Sequence, residues 1–202
     1  MKLYFSPGAC SLSPHIILRE MGADFSLQQV DSKSKTLAST GENHLDINPK
    51  GAVPCLALDS GEFLTEGAVI IQYLVDQDSS CDLIPPPGGL DRYRTLEWLS
   101  YIGSDLHKGF GQIFNPKGNE ASAAVARNIL TPRLEYVSTH LASRSYLLGE
   151  EFKAPDAYLF TILNWAAPAR VDLSPWPSLE TYLKRVADRP AVQAALQAEG
   201  LV

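Results

Sequence analysis

A two-part α+β chain, a small mixed sheet with its helices followed by an all-helical part, is predicted by three features of the 202-residue sequence. Residues 1–80 alternate short strand signals with helix signals, a Pro-Pro-Pro-Gly-Gly run at 85–89 interrupts the chain, and apolar residues beyond it recur at helical spacing. The expected division is 1–81 for the sheet domain, 82–89 for a linker and 90–202 for the helical domain, all ordinary lengths. Charge divides in the same place: five basic and ten acidic side chains over 1–80, against twelve and thirteen over 81–202.

The elements follow in order. Lys2, Leu3, Tyr4 and Phe5 make a β-prone run cut off by the turn signal Ser6-Pro7-Gly8. A helix is expected over 13–21, with Ile17, Leu18 and Met21 apolar and Gly22 as its stop. Pro14 suits its first turn, where a missing N–H would be unpaired anyway. Residues 25–30 (FSLQQV) alternate as a second strand, and a polar loop with Lys33 and Lys35 comes next. Asn48-Pro49-Lys50-Gly51 marks a turn, Val53-Pro54 leads into a strand at 55–58, and Asp59-Ser60-Gly61-Glu62 turns into Phe63-Leu64. Residues 66–75 read as a helix with Ile70, Ile71 and Leu74 on one face. Beyond the break, one long helix is expected over 91–114, with Leu96, Leu99, Ile102, Leu106, Phe110 and Ile113 on its apolar side. Helices at 121–142, 156–167, 178–188 and 191–199 complete the chain, the second apolar nearly all round and so buried.

Composition excludes several classes. The net charge of −6 argues against nonspecific nucleic-acid binding, which needs clustered Lys and Arg. No stretch approaches the roughly 20 apolar residues of a membrane helix, and MKLYFSPGAC has no apolar core behind a basic end, so a cytoplasmic protein is expected. Cys10, Cys55 and Cys81 fit neither a disulfide framework nor a zinc site, and the four histidines lack ligand spacing, so no metal and no cofactor are expected.

Candidate chemistry gathers at four places. Cys10 lies just before a helix, where unpaired N–H groups and the helix dipole favour an anion, which predicts a lowered thiol pKa. Ser11 beside it is expected to cap that helix. Val53-Pro54 reads either as a cis-proline turn that presents the Val53 backbone to an extended ligand or as an ordinary trans approach to a strand. Glu66-Gly67 follows Thr65, a candidate N-cap, and offers a helix start for a ligand carboxylate and a carboxylate for a ligand ammonium. Ser100, Ser104, His107 and Gly111 form one small, polar stripe on the long helix, with Lys108 adding positive charge.

Taken together, KLYFSPGACSLSPHIILRE, NPKGAVPCL, LTEGAVIIQYL, EWLSYI, LHKGF, FKAPDAYLFTILNWA and RPAVQAAL make a chain that resembles, over essentially its whole length, the glutathione S-transferase superfamily and its bacterial beta class. The resemblance implies a thioredoxin-like N-terminal domain, an all-α C-terminal domain, a homodimer, and glutathione as co-substrate rather than cofactor. It implies that Cys10 and His107 are catalytic, and that Lys35, Val53, Pro54, Glu66, Gly67, Ser100, Ser104, Asp105 and Lys108 hold glutathione or lie near it. Phe110, Phe114 and Trp165 would line the site of a small hydrophobic electrophile. Two departures stand out: Ser100 replaces the class's usual Asn, and Lys153-Ala154-Pro155-Asp156 lacks the hydroxyl that opens a capping box. Cys55 reads as a buried strand residue rather than a disulfide partner of Cys10. The resemblance implies conjugation of glutathione to electrophiles in detoxification; a thiol–disulfide or peroxide redox enzyme working through a Cys10 mixed disulfide, and a binding-only protein, remain the alternatives.

Overall fold

The structure, a computed structural model, describes residues 1–115 and 117–202. Its strands are β1 (Lys2–Phe5), β2 (Ser26–Asp31), β3 (Thr36–Leu37), β4 (Cys55–Ala57) and β5 (Phe63–Thr65). Its helices are α1 (Leu12–Glu20), α2 (Gly67–Asp76), α3 (Leu90–Tyr101), α4 (Lys108–Ile113), α5 (Glu120–Leu141), α6 (Ala154–Leu163), α7 (Pro177–Ala187) and α8 (Pro190–Ala198). A 3₁₀ turn covers His44–Asp46, and a π turn, Ile102–His107, joins α3 to α4.

The chain forms two compact units, Met1–Asp82 together with Arg189–Val202, and Leu83–Asp188. In the first, the sheet order is β3-β2-β1-β4-β5. β1 pairs parallel with β2 and antiparallel with β4, so it lies inside the sheet, and Leu3, Tyr4 and Phe5 are all buried. That is why its sequence is an apolar run, whereas the alternating β2 turns only Val30 fully inward. α1 buries Leu12 through Leu18 and stops where expected: Gly22, at φ +61°, donates its N–H to Arg19 O (3.1 Å), and Ala23 donates to Leu18 O (3.0 Å).

Several expectations are corrected. Ser11 occupies the N-cap position of α1 but does not cap it; its hydroxyl turns back, accepting from Ser6 N–H (3.2 Å) and donating to Ser6 O (3.3 Å). Thr65 closes β5, and Glu66 takes the N-cap position of α2. β3 and the 3₁₀ turn carry no sequence signal, because a two-residue strand and a three-residue turn leave no periodicity to read. The long helix is three pieces, since the π turn interrupts it. α6 is buried along its whole length, as its composition predicts, but ends at Leu163 rather than 167, and Asn164 donates its side-chain N–H back to Phe160 O (2.7 Å).

The expected helical domain of 90–202 is corrected at both ends. The first part of the segment expected as a linker is packed, and 86–89 are exposed: Leu83 and Ile84 are buried, Leu83 O accepts from Ala154 N–H (2.9 Å), and Arg92 donates to Pro85 O (3.0 Å). At the far end, α8 packs on α1 in the first unit, burying Val192, Ala195 and Leu196. Arg189 makes a two-pronged ion pair with Glu20 there (2.6 and 2.8 Å).

Candidate active site

In the first unit, the turn before α1 meets the loop before β4. The Cys10 thiol donates to Val53 O at 3.1 Å, and the Val53–Pro54 peptide is cis. A Cβ on Gly67 would lie 3.6 Å from Pro54 Cγ, so the start of α2 also borders this corner. The structure thus gathers Cys10, Val53, Pro54 and Gly67. It does not make Cys10 a thiolate. Burial pushes the thiol up to about 11, opposed by the Cys10 and Ser11 N–H groups and reinforced by the Glu66 carboxylate. The expected lowering fails because loss of water outweighs two amide dipoles. Cys55, fully buried in β4, is likewise pushed up to about 11 by desolvation, and none of the three cysteines is in a disulfide. Alkylation of Cys10 by iodoacetamide, followed by peptide mass spectrometry, should therefore accelerate steadily from pH 7 to beyond pH 10; a plateau near neutral pH would show a thiolate instead.

Glu66 stands in a backbone conformation rare for a side-chain-bearing residue, φ 72° and ψ 109°. Its carboxylate does not serve the dipole of α2 but pairs with Lys50 Nζ at 2.7 Å, and Lys50 also donates to Thr65 Oγ1 (3.0 Å). Lys50, in the sequence only part of a turn, is thus the cation on Glu66. Lys35, also left-handed at φ 59°, is held by its N–H to Asp31 O (2.9 Å) and by His44 N–H to its own carbonyl (2.8 Å). Its stem lies 3.9 Å from where a Gly51 Cβ would be, so it sits beside the loop leading to Val53. Just ahead of Val53, Ala52 O accepts from Asn48 Nδ2 (2.7 Å) and His44 Nε2 (3.2 Å), which fixes that loop.

A buried network unseen in the sequence supports the Cys10 turn. Gly8 N–H donates to Glu199 Oε2 (2.9 Å), and Glu199 Oε1 lies 2.8 Å from His15 Nδ1, both side chains fully buried. Arg19 Nε donates to His15 Nε2 (3.3 Å), which makes Nε2 the acceptor and leaves the proton on Nδ1, facing the carboxylate. His15 and Glu199 are 184 residues apart, so no local pattern pairs them.

In the second unit, His107 ends the π turn. Its Nδ1 is 2.7 Å from Tyr158 OH, and its ring meets Trp165 edge-on at 5.0 Å. His107, Lys108 and Phe114 line one open hollow of about 520 Å³ with Gly111, Gln112 and Asn115. Trp165 is half-buried, 6.0 Å from the Phe114 ring. Phe110 is a correction: it is fully buried and supports Trp165 from within the core (6.4 Å between rings) rather than lining a ligand site. Ser104 and Asp105 pair with each other (2.7 Å), and Asp105 also accepts from Arg133 Nε (3.1 Å). These bonds, the serine's first, hold the Asp105 carboxyl below its usual range. The expected stripe is split: His107 and Gly111 share the hollow, but Ser100 and Ser104 do not line it. A π turn takes more residues than an α turn, so positions on either side of it lose a common α-helical phase. Among the described residues, no three His, Cys, Asp or Glu side chains gather as a metal site, and no helix is long and apolar enough to cross a membrane.

A thioredoxin-like domain with a cysteine beside a cis-proline, followed in one chain by a helical domain with a braced histidine, is the two-domain architecture of the glutathione transferase fold. Residues 8–77 match the family model described as glutathione S-transferase, N-terminal domain, and residues 95–190 the one described as glutathione S-transferase, C-terminal domain. The chain is 45% identical to glutathione S-transferase GstA of Escherichia coli O157:H7, with both chains covered in full. It is 45% identical, at a TM-score of 0.95 and full coverage of both chains, to a sphingomonad glutathione S-transferase solved in complex with glutathione. It is 44% identical, at 0.96 and again full coverage of both, to a bacterial beta class glutathione S-transferase of Sphingomonas chungbukensis. The chain belongs to the glutathione S-transferase family.

Proposed function

We propose that the protein binds glutathione and joins its sulfur to hydrophobic electrophiles, in detoxification, as a cytoplasmic homodimer. The observation that carries this reading is the Cys10 thiol, neutral and hydrogen-bonded to Val53 O beside the cis peptide. A glutathione sulfur needs a donor to favour its thiolate, and a neutral thiol is one. The extended backbone of glutathione pairs with Val53; its amide N–H takes the Val53 carbonyl, and the Cys10 S–H turns to the ligand sulfur. Glu66 takes the γ-glutamyl ammonium in place of Lys50, the amides at Gly67 take the adjoining carboxylate, and Lys35 faces the glycyl carboxylate. From the helical domain His107 serves as a second donor, with Lys108 beside it and Phe114 and Trp165 against the electrophile. The glutathione thiol gives up its proton to solvent, the thiolate attacks an electrophilic carbon, the S–C bond forms, and the leaving group departs with its electron pair. That two relatives carry the name glutathione S-transferase over their full lengths, one of them with glutathione bound, supports the same reading.

A redox role through Cys10 is not favoured. With its pKa near 11, roughly one part in ten thousand of Cys10 is thiolate at pH 7, and a thiol attacks a disulfide only as the thiolate. Replacement of Cys10 by Ala is the test. With a chloronitroaromatic electrophile, Cys10→Ala should conjugate glutathione about tenfold more slowly at pH 6.5 and approach wild type toward pH 9, because one donor to the sulfur is lost and the bound thiol's pKa rises by about one unit. Complete loss at every pH, with a glutathione adduct on the intact wild-type protein, would establish the mixed-disulfide mechanism instead.

A further inference from the structure

We infer that Tyr158 is a positioning residue that fixes the ring and the tautomer of His107, so that His107 offers a neutral Nε2–H donor; the catalytic use of that donor rests on the function proposed above. Tyr158 lies on α6, every residue of which is buried, and is itself 5% exposed, so its hydroxyl is a rigid fixture. That hydroxyl is 2.7 Å from His107 Nδ1, and the two rings meet edge-on, 5.9 Å apart at 86°. The Trp165 edge, 5.0 Å from the imidazole, packs against the ring as well. A Cβ on Gly103, inside the π turn, would lie 3.6 Å from the phenol oxygen and 3.8 Å from Tyr158 Cε1, so the turn passes directly over the tyrosine. His107 is the last residue of that turn, where the regular ladder of α-helical bonds is broken and a side chain needs bracing from outside its own helix.

The direction of the bond follows from the partners. A phenol O–H is a stronger donor than the N–H of a neutral imidazole, and the bare ring nitrogen is the stronger acceptor. The bond therefore runs from Tyr158 O–H to Nδ1, and the proton of the neutral ring stays on Nε2. In a ring free to change tautomer, each nitrogen would carry the proton part of the time, and Nε2 would serve as a donor for only that fraction.

The test needs no ligand for its first part. In unliganded wild-type protein with ¹⁵N-labelled histidine, long-range ¹H–¹⁵N spectra at neutral pH should show His107 Nδ1 as bare and hydrogen-bonded and Nε2 as protonated. A protonated Nδ1 in that spectrum overturns the proposal outright, whatever any variant does. In Tyr158→Phe, which removes only the hydroxyl, the two nitrogens should average toward a tautomer mixture, kcat should fall about tenfold, and KM for glutathione should change less than threefold. Tyr158→Phe with an unchanged His107 spectrum, or with the same loss of kcat in a His107→Gln background, would also overturn it. Failure of wild-type protein to turn over glutathione would sink the proposed function while leaving the tautomer measurement standing.

Discussion

Glu199→Ala should destabilise the protein by about 3–5 kcal/mol, on the order of 10 °C in thermal midpoint, because two buried donors lose their acceptor. Glu199 and His15 have no exposed side-chain surface, and the carboxylate receives both the His15 ring proton and the Gly8 N–H. Truncation leaves the imidazole and the amide buried without their acceptor, while Arg19 still donates to the other ring nitrogen. The large figure applies because the pair is fully enclosed; the exposed Lys50–Glu66 pair, broken in the same way, is worth at most about 1 kcal/mol. Glu199→Gln keeps one acceptor oxygen and should lose roughly half as much. Calorimetry on the three proteins checks the order, and a Glu199→Ala midpoint within about 2 °C of wild type would show that the network bears no weight. Because Gly8 sits two residues from Cys10, the same variant should also expose Cys10 to faster alkylation.

Asp156→Ala comes next, with an expected cost of about 4 kcal/mol. This aspartate, fully buried at the start of α6, accepts from Lys153 N–H (2.9 Å), Leu147 N–H (3.0 Å) and Tyr182 O–H (3.0 Å). Burial first, and the Asp156 carboxylate second, keep the Tyr182 phenol well above its ordinary pKa, so it remains a donor. Removing the carboxylate strands two backbone donors inside the helical unit and leaves the Tyr182 hydroxyl only the Asp156 main-chain carbonyl (3.1 Å). Urea unfolding followed by tryptophan fluorescence reads the shift; Asp156→Asn, which keeps one acceptor oxygen, should fall between the two. The missing hydroxyl at Lys153 is tolerated for the same reason: Asp156 still secures the helix start from its own side.

What could be read in advance follows from how each feature is encoded. β1 was legible because an interior strand must be apolar on both faces, and α6 because a helix buried all round carries almost nothing polar. Gly22 announced the end of α1 because only a left-handed residue closes that turn without strain. Cys10, Val53 and His107 were reached through local motifs and family resemblance. Their supports were not: Glu199 and Tyr158 come from elements far along the chain, and nothing local marks them as partners. The π turn was hidden because its apolar positions, Ile102 and Leu106, also fit α spacing. The Cys10 thiol differs in kind: a helix start is visible in the sequence, but the desolvation that outweighs it depends on packing that no sequence window contains.

The return of α8 to the first unit carries a consequence for biosynthesis. A ribosome releases Met1–Asp82 early, yet the pieces that complete that unit, Arg189 against Glu20 and Glu199 against His15, are made more than a hundred residues later. The intervening Leu83–Asp188 is contiguous and has no such wait. The nascent chain therefore carries an incomplete sheet domain, with the face of α1 that α8 covers still open, until residues 189–199 have been made. Of the two units, the one that begins earlier in the chain is the one that needs the later residues to be complete.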